Sequence, residues 1–480
     1  MATPDAVTVL KYSLVSPPSS AAVTAMSLPL TFLDMPWFHF PPIERLVLYE
    51  VPQLSRSHFI EHIIPKLEHS LSLTLQHFLP LAGNLIVPSN SNSGTPEIRY
   101  KNGSSLALII AECTTTDFNY LTANHARNCC DFHPLIPELK PSNQDDSGST
   151  VLALQVLALQ VTLFPLCGMS VGISNHHTVG DAGSVFRFMK TWAALCSKCL
   201  EDNIDRDDVA ATLVSDSPPC YDRTMIKDTK GLSSIFWDQG VVFIKLFQNE
   251  SSTDTTAKPM TKTDKVRRSF VISRNNIEKL KRLALQKRPQ LVHLSSFTVI
   301  CAHVWTCLVK CRGPSGEHVD DEEVEYFCCT ADCRGRMDPP LPSNYFGNCQ
   351  TVIRKNEKNG KLIGEEGFPI AVESIGEGIH QRLKNNDSLF DDADTWLPGI
   401  AGINLDRLVS VAGSPRYNYY NLDFGWGKPK KFEFISIDTS GAISLGGSRE
   451  SDGDIEVGLS LSKPRMDAFT VIFNDRLNSL

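Results

Sequence analysis

Runs of apolar residues divide the chain into predicted strands and helices. The longest run, 151–173, is interrupted by two glutamines and by Pro165, and its alternation favours β-strands over a membrane-spanning helix. The run ends abruptly in the polar pair His176 and His177. The pattern therefore predicts a buried strand that reaches the surface at two histidines.

A helical repeat follows these histidines. The apolar positions recur every three or four residues, at Val185, Met189, Trp192 and Cys196. This spacing predicts a helix with one apolar face that begins near Ala182. Strand, sharp turn and helix then place His177 and Asp181 four residues apart, with Gly180 loosening the turn.

The rest of the chain alternates between the same two kinds of pattern. We predict strands over 47–50, 268–272 and 325–331, a hairpin or meander over 85–110, and helices over 58–79, 275–286, 297–309 and 466–477. Strands interleaved with helices in two comparable halves predict an α/β architecture.

A long polar connection separates the two halves. Residues 204–264 contain acidic, proline-containing and Ser/Thr-rich stretches, which predict a mostly irregular crossover between two domains. We therefore expect an N-terminal domain over 1–203, a linker over 204–264 and a C-terminal domain over 265–480.

A tandem repeat, VLALQVLALQV, occupies 151–161. An insertion of odd length would turn every side chain of a strand to the opposite face. We expect the surplus to be absorbed upstream, toward the polar run 142–150, so that the strand register at His177 survives.

Composition excludes several classes of protein. A net charge of −8 argues against nucleic acid as the main partner, because phosphate contacts require a basic surface. The N-terminus has an early Asp, no basic segment and no uninterrupted apolar stretch, so we expect no secretory signal and a cytosolic protein. Fourteen cysteines without such a signal are expected to be reduced.

His177 is the first candidate for chemistry. Its ordinary pKa, about 6.5, suits a general base, although a single histidine is more often structural. Asp181 at the start of a helix is more simply explained by N-capping or another structural role. A serine hydrolase would need G-x-S-x-G, which is absent, and adjacent histidines before a helix do not resemble a zinc site, so we expect no metal.

Further motifs point to one family. His177-Thr-Val-Gly-Asp181, Tyr345-Phe-Gly-Asn-Cys349 and Asp423-Phe-Gly-Trp-Gly427 occur in this order, with LPLTFLDMPWF and SIDTSGAISL around them. Together they resemble the plant BAHD family of acyl-CoA-dependent acyltransferases over nearly the whole chain. YFGNC further resembles the branch that acts on anthocyanin, flavonoid and other phenolic glycosides.

The resemblance implies a fold and a reaction. The fold is two chloramphenicol-acetyltransferase-like α/β domains, each a mixed β-sheet flanked by helices, with an active-site channel at their interface. His177 would be the general base at mid-channel that transfers an acyl group from CoA to a sugar hydroxyl. Acyl-CoA would be a co-substrate, no cofactor would be bound permanently, and we expect a monomer that engages neither nucleic acid nor membrane.

The resemblance also implies roles for other residues. Asp181 would point away from the channel, and Asp423 would be structural, with Arg334 as its hypothetical partner. Trp426 is either an oxyanion donor through its indole N–H or a core residue. The basic turn that follows is either a contact for CoA phosphates or simply solvated, and it contains Lys428, Lys430 and Lys431.

The sequence features that bear on the acyl donor point in two directions. Many malonyl-using relatives carry Lys or Arg where this chain has Gly183, and Arg187 on the same helix is expected to face solvent. SIDTSGAISL, however, resembles malonyltransferases more than hydroxycinnamoyl-CoA users. We expect a malonyltransferase, with a coumaroyl- or caffeoyl-CoA acyltransferase and a non-catalytic small-molecule binding protein on the same fold as alternatives.

Overall fold

The structure is a computed structural model that describes residues 6–19, 23–88, 95–141, 152–198, 218–249 and 264–480, with the backbone alone at 241–249 and 387. Within these ranges, no helix combines the length and apolarity that crossing a bilayer requires.

The described residues form strands, numbered in chain order, that lie in three sheets. They are β1 Thr8–Val15, β2 Ala25–Pro29, β3 Ile43–Glu50, β4 Asn84–Val87, β5 Glu97–Lys101, β6 Leu106–Glu112, β7 Arg127–Asn128, β8 Leu152–Gln155, β9 Leu157–Phe164, β10 Gly168–Asn175, β11 Lys265–Ile272, β12 Val324–Asp332, β13 Gln350–Lys358, β14 Leu408–Ala412, β15 Lys431–Phe434, β16 Ile443–Gly447 and β17 Ile455–Ser462.

Helices cover these sheets. They are α1 Arg56–His58, α2 Ile64–His77, α3 Phe118–Thr122, α4 Ala182–Lys198, α5 Leu232–Asn249, α6 Arg274–Lys287, α7 Ser296–Lys310, α8 Asn359–Ile363, α9 Gly367–Leu383, α10 Trp396–Ala401, α11 Ile437–Ser440 and α12 Lys463–Ser479. A π-helical turn, Phe59–Ile63, joins α1 to α2. The helices predicted from periodicity are confirmed, with bounds shifted by a few residues.

Two mixed sheets make up the core of the two halves. The six-stranded sheet has the order β1-β6-β9-β10-β3-β15, and the seven-stranded sheet has the order β13-β12-β14-β16-β17-β11-β7. One hydrophobic core includes side chains of α2, α4 and the six-stranded sheet, and a second includes side chains of α6, α7, α9, α12 and the seven-stranded sheet. The predicted α/β architecture of two mixed sheets flanked by helices is confirmed.

Of the hairpin or meander predicted over 85–110, the hairpin is confirmed, whereas a meander is wrong in its last strand. β4 and β5 pair as an antiparallel hairpin within a third sheet of order β2-β5-β4-β8. β6 instead enters the six-stranded sheet, antiparallel to β1 and parallel to β9. Local turn signals identify strands, whereas the choice of sheet depends on distant pairing.

The tandem repeat is divided between two sheets. Its first LALQ forms β8 in the four-stranded sheet, and its second LALQ begins β9 in the six-stranded sheet. β10 then pairs continuously with β9 and β3, with Asn175 opposite Leu157 and Ile43. The register that leads to His177 is therefore regular, while the predicted surplus in 142–150 lies outside the described residues.

The two halves exchange strands. β15, from the second half, pairs with β3 in the six-stranded sheet, and β7, from the first half, pairs with β11 in the seven-stranded sheet. The connection between the halves is also more ordered than expected, because α5 occupies 232–249. The domain limits at 203 and 264 stay a prediction, since 199–217 and 250–263 lie outside the described residues.

A buried ion cluster lies where the strands are exchanged. Glu433 on β15 pairs with Arg127 on β7 at 2.8 Å and with Arg267 on β11 at 3.1 Å, and Arg267 also pairs with Asp438 at 3.0 Å. All four side chains are buried. Burial alone would raise the pKa of Glu433, but the charges of Arg127, Arg267 and Lys431 lower it to about 2.

This cluster predicts the effect of removing one charge. Glu433→Gln leaves two buried guanidinium groups short of a carboxylate, which should lower the free energy of unfolding by about 3–5 kcal/mol in urea titrations at neutral pH. The deficit should shrink as the pH falls from 4.5 toward 2, because the carboxylate of the unmodified chain is then protonated as well. Asp467→Asn, which breaks an exposed pair with Lys463, is the control and should change stability little. Equal stabilities for both variants would contradict the account.

Candidate active site

His177 lies where β10 ends and the chain turns sharply. A 3₁₀ turn, His177–Val179, connects the strand through Gly180 to α4. A Cβ atom at Gly180 would come within 2.7 Å of the Cβ of Ser184, so the turn leaves room only for glycine. Strand, turn and helix therefore occur where the sequence predicted them.

An aromatic ring fixes the plane of the imidazole. The rings of Trp37 and His177 stack with centroids 4.3 Å apart and an interplanar angle of 10°. Trp37 lies in a 3₁₀ helix, Met35–Trp37, that comes from the loop before β3. His177 is half-buried, and its Nδ1 atom is buried without a hydrogen bond among the described residues.

The second half of the chain also contacts the turn that carries this histidine. Asn348, from the YFGNC motif, donates its side-chain amide to the carbonyl oxygen of His177 at 3.0 Å and to Asp34 Oδ1 at 3.0 Å. Asp34 is fully buried and also accepts the Asn348 backbone N–H at 3.1 Å. The site is therefore built from both halves of the chain.

Asp181 caps α4 and also binds across the interface. Its Oδ1 accepts the Ser184 backbone N–H at 3.1 Å, as an N-cap does, and its Oδ2 accepts the Cys349 N–H at 3.2 Å. The same Oδ2 lies 2.7 Å from Nη1 of Arg334, and both side chains are buried. Although burial opposes the charge of Arg334, Asp181 raises the pKa of its guanidinium. Asp181 thus holds the histidine turn against the second half.

The hypothetical pairing of Asp423 with Arg334 is wrong. Arg334 pairs with Asp181 and, at 3.1 Å, with Asp332. Asp423 is exposed, and its Oδ1 accepts the backbone N–H groups of Gly425 and Gly427 at 2.7 and 2.9 Å. Asp423 therefore stabilises the turn of its own DFGWG motif.

Trp426 does not face the histidine. Its ring packs edge-on against Tyr49, with centroids 5.6 Å apart, and stacks on Phe424. Tyr49 pairs with Met169, six residues along the strands from the end of β10 beside His177, which is about 20 Å at roughly 3.3 Å per residue. The indole is therefore too remote to donate to an oxyanion at His177, and the core interpretation of Trp426 holds.

Two of the three candidate lysines are already paired. Lys431 is buried and binds Glu456 at 2.5 Å and Asn124 at 2.7 Å, so it is unavailable for a CoA phosphate. Lys430 pairs with Glu50 at 3.1 Å. Lys428 is exposed, and its contact with CoA stays a prediction.

The Tyr417 hydroxyl lies close to Gly183. A Cβ atom there would meet the Tyr417 hydroxyl at 2.7 Å, and burial raises the pKa of Tyr417 to about 12. Arg187 is half-buried, and its Nη2 donates to the carbonyl of Ser343 at 3.2 Å. The expectation that Arg187 points to solvent is therefore wrong.

Burial keeps both histidines uncharged. Burial lowers the pKa of His177 from 6.5 to about 4, and the charge of Arg45 contributes to the lowering, whereas the residue's own backbone, the charge of Asp181 and the Asn348 side chain raise it. Burial and the neighbouring His177 likewise lower the pKa of His176 to about 4. At neutral pH the imidazole of His177 is therefore a free base.

Sequence reasoning missed three residues of this site: Trp37, Arg45 and Asn348. Trp37 and Asn348 lie within LPLTFLDMPWF and YFGNC, which were recognised as family motifs without a role for either residue. Arg45 directly precedes the apolar run 46–48 near the start of β3, and a charged residue at such a position was the available signal.

The fold is shared with solved structures. Vinorine synthase superposes with a TM-score of 0.65 at 20% identity, covering 99% of this chain and 98% of that one. F. sporotrichioides TRI101, solved with coenzyme A and T-2, superposes with a TM-score of 0.61 at 15% identity over 93% and 97% of the two chains. These likenesses define the class of fold as the two-domain acyltransferase fold.

The sequence then places the chain in one family. The model of the Transferase family matches residues 6–475, and the chain belongs to this family of BAHD acyltransferases, which use acyl-CoA as co-substrate. It is 41% identical to malonyl-coenzyme A:anthocyanin 3-O-glucoside-6''-O-malonyltransferase of Dahlia pinnata, over 98% of both chains. It is 42% identical to phenolic glucoside malonyltransferase 1 of Nicotiana tabacum, over 96% of this chain and 98% of that one. A coumaroyl-CoA:anthocyanidin 3-O-glucoside-6''-O-coumaroyltransferase of Arabidopsis thaliana is 32% identical over 95% of both.

The contacts of Asp181 predict coupled losses. Asp181→Asn keeps a capping oxygen but removes the buried carboxylate that pairs with Arg334. The free energy of unfolding should therefore fall by about 3–5 kcal/mol, and activity should fall with it. Calorimetry and thiol release measure the two. Asp332→Asn removes the more exposed partner of the same arginine and serves as the control. Lost activity at an unchanged unfolding temperature would instead mean that Asp181 takes part in the chemistry.

Proposed function

We propose that this acyltransferase transfers a malonyl group from malonyl-CoA to a sugar hydroxyl of an anthocyanin, flavonoid or other phenolic glucoside. The observation that carries the proposal is a neutral, half-buried His177 held between the two halves of a chain whose relatives at 38–42% identity are named as malonyltransferases. A non-catalytic binding protein would have no need for a free imidazole base at this position.

His177 acts as general base and then as general acid. It takes the proton of the sugar hydroxyl while the hydroxyl oxygen attacks the thioester carbonyl carbon. The tetrahedral intermediate collapses, the C–S bond breaks, and the imidazolium returns the proton to the departing sulfur. Base catalysis of this kind is typically worth about 10²- to 10⁴-fold, and positioning of the two substrates supplies much of the rest.

The buried side of the ring selects the nitrogen that reacts. Nδ1 of His177 and Oδ1 of Asn348 are both buried without a hydrogen bond among the described residues, and in this proposal the ring hydrogen is on the buried Nδ1. Nε2 is then the unprotonated nitrogen. Stacking on Trp37 holds the ring in this orientation.

The identity of the acyl donor, malonyl-CoA, is itself part of the proposal. The Tyr417 hydroxyl lies against the place that Gly183 leaves open, so any partner for a malonyl carboxylate must come from elsewhere. We also propose that the protein is a monomer in the cytosol and that Lys428 contacts CoA.

Thiol release tests this function. Purified protein with a cyanidin or flavonol glucoside should release CoA from malonyl-CoA much faster than from p-coumaroyl-CoA, and mass spectrometry should find malonyl on the glucoside. Release with p-coumaroyl-CoA alone would make the protein an aromatic acyltransferase, and release with neither would remove the proposal.

A variant tests the base separately. His177→Ala should lower turnover by at least about 10²-fold, because no other described side chain occupies its place in the proposed reaction. Binding of CoA, measured by calorimetry, should be unchanged. Turnover at the unmodified rate would end the general-base assignment.

A further inference from the structure

Arg45 is a buried cation beside the strand end that carries His177. It lies on β3 opposite Ile173 of β10, and it is 3% exposed. Its Nη1 donates to Oδ1 of Asn175 at 2.6 Å, and its Nε is buried without a hydrogen bond among the described residues.

The charge of this guanidinium is not neutralised. Within the described part of the chain no carboxylate forms an ion pair with Arg45, whereas the buried Arg127, Arg267 and Arg334 all have carboxylate partners. Its other neighbours are the Tyr419 side chain and the Phe434 ring, 5.8 Å from the guanidinium carbon. A buried, unpaired charge is costly to stability, so a purely structural role does not account for it.

A short chain of hydrogen bonds connects Arg45 to the histidine turn. The side-chain oxygen of Asn175 accepts a hydrogen bond from Nη1 of Arg45, and its side-chain amide donates to the carbonyl oxygen of His176 at 3.0 Å. The His176 backbone N–H donates to Val156 at 2.9 Å on the other side of the strand. The residue directly before His177 is therefore connected to β3 through Asn175 and Arg45, and to Val156 through its own backbone.

We propose that Arg45 is a positioning residue for His177, which orients the histidine turn through Asn175 and uses its unpaired positive charge to favour the uncharged imidazole. This inference rests on the proposed role of His177 as general base. When the imidazole has taken the proton of the acceptor hydroxyl, the same charge favours its return to the departing sulfur.

Other charged and titratable groups around His177 do not replace Arg45. Asp181, beyond the histidine turn, acts in the opposite direction and is paired with Arg334. Asp34, from the loop before β3, is hydrogen-bonded to Asn348 and Thr31. Burial lowers the pKa of both His176 and His39, which disfavours a positive charge on either imidazole.

The pH dependence of kcat/KM for malonyl transfer tests the proposal. Arg45→Met should move the acidic limb of the profile upward by about one pH unit, the size expected for loss of one nearby charge, and should lower kcat at neutral pH by about tenfold. Arg45→Lys should keep the position of the limb while losing part of kcat. Arg268→Met is the matched control, since among the described residues the guanidinium of Arg268 donates to the Thr470 hydroxyl and lies over the Phe270 ring on β11, away from His177, and its loss should leave the profile unchanged.

A further variant separates charge from orientation. Asn175→Ala removes the link to His176 but keeps the charge of Arg45, so it should lower kcat and leave the acidic limb in place. If Arg45→Met does not fold, Arg45→Lys and Asn175→Ala still decide the matter, because the proposal requires an unmoved limb with a reduced kcat in both. An upward shift of the limb in Asn175→Ala overturns it.

Three outcomes distinguish this inference from the proposed function. If His177→Ala is inactive while Arg45→Met has the unmodified profile, the positioning role fails and the general base stands. If Arg45→Met loses transfer from malonyl-CoA but retains transfer from acetyl-CoA, Arg45 binds the donor carboxylate, and the positioning role is again overturned. Turnover by His177→Ala at the unmodified rate would instead remove the base itself.

Discussion

The ion pair between Asp181 and Arg334 joins the turn that carries His177 to the second half of the chain. Asp181 caps α4 with one carboxylate oxygen and meets Arg334 and the Cys349 amide with the other. A buried pair of this kind is costly unless every polar atom finds a partner, and here the partners are the backbone groups of the turn between β12 and β13. The position of the histidine therefore depends on the association of both halves, and neither half alone contains the site.

Strand exchange supports the same association on a larger scale. β15 extends the six-stranded sheet and β7 extends the seven-stranded sheet, while the cluster of Arg127, Arg267, Glu433 and Asp438 fills the space between them. The two strand pairings and these ion pairs connect the sheets directly. In the proposed reaction, an imidazole that abstracts a proton at a fixed distance depends on such connections, because small misplacements reduce the rate strongly.

Sequence periodicity predicted the local framework of the site but not its long-range pairs. The end of β10, the start of α4 and capping by Asp181 follow from residues close together in the chain. The choice of Arg334 as partner of Asp181 rather than Asp423, the burial of Lys431 and the distance of Trp426 from His177 all depend on how two sheets meet. The helix α5 within the predicted linker was missed because the polar residues before and after it dominate the composition of that stretch.

The central claim is direct transfer from acyl-CoA to the sugar hydroxyl while both substrates are bound, through a tetrahedral intermediate and without an acyl-enzyme, since His177 acts as a base and not as a nucleophile. Intact-protein mass spectrometry and rapid-quench measurement of CoA, with malonyl-CoA and no acceptor, test it most directly. The account predicts no burst of CoA and no increase in protein mass until a glucoside is added. A burst equal to the enzyme concentration, with one malonyl group attached to the protein, would contradict it and establish an acyl-enzyme.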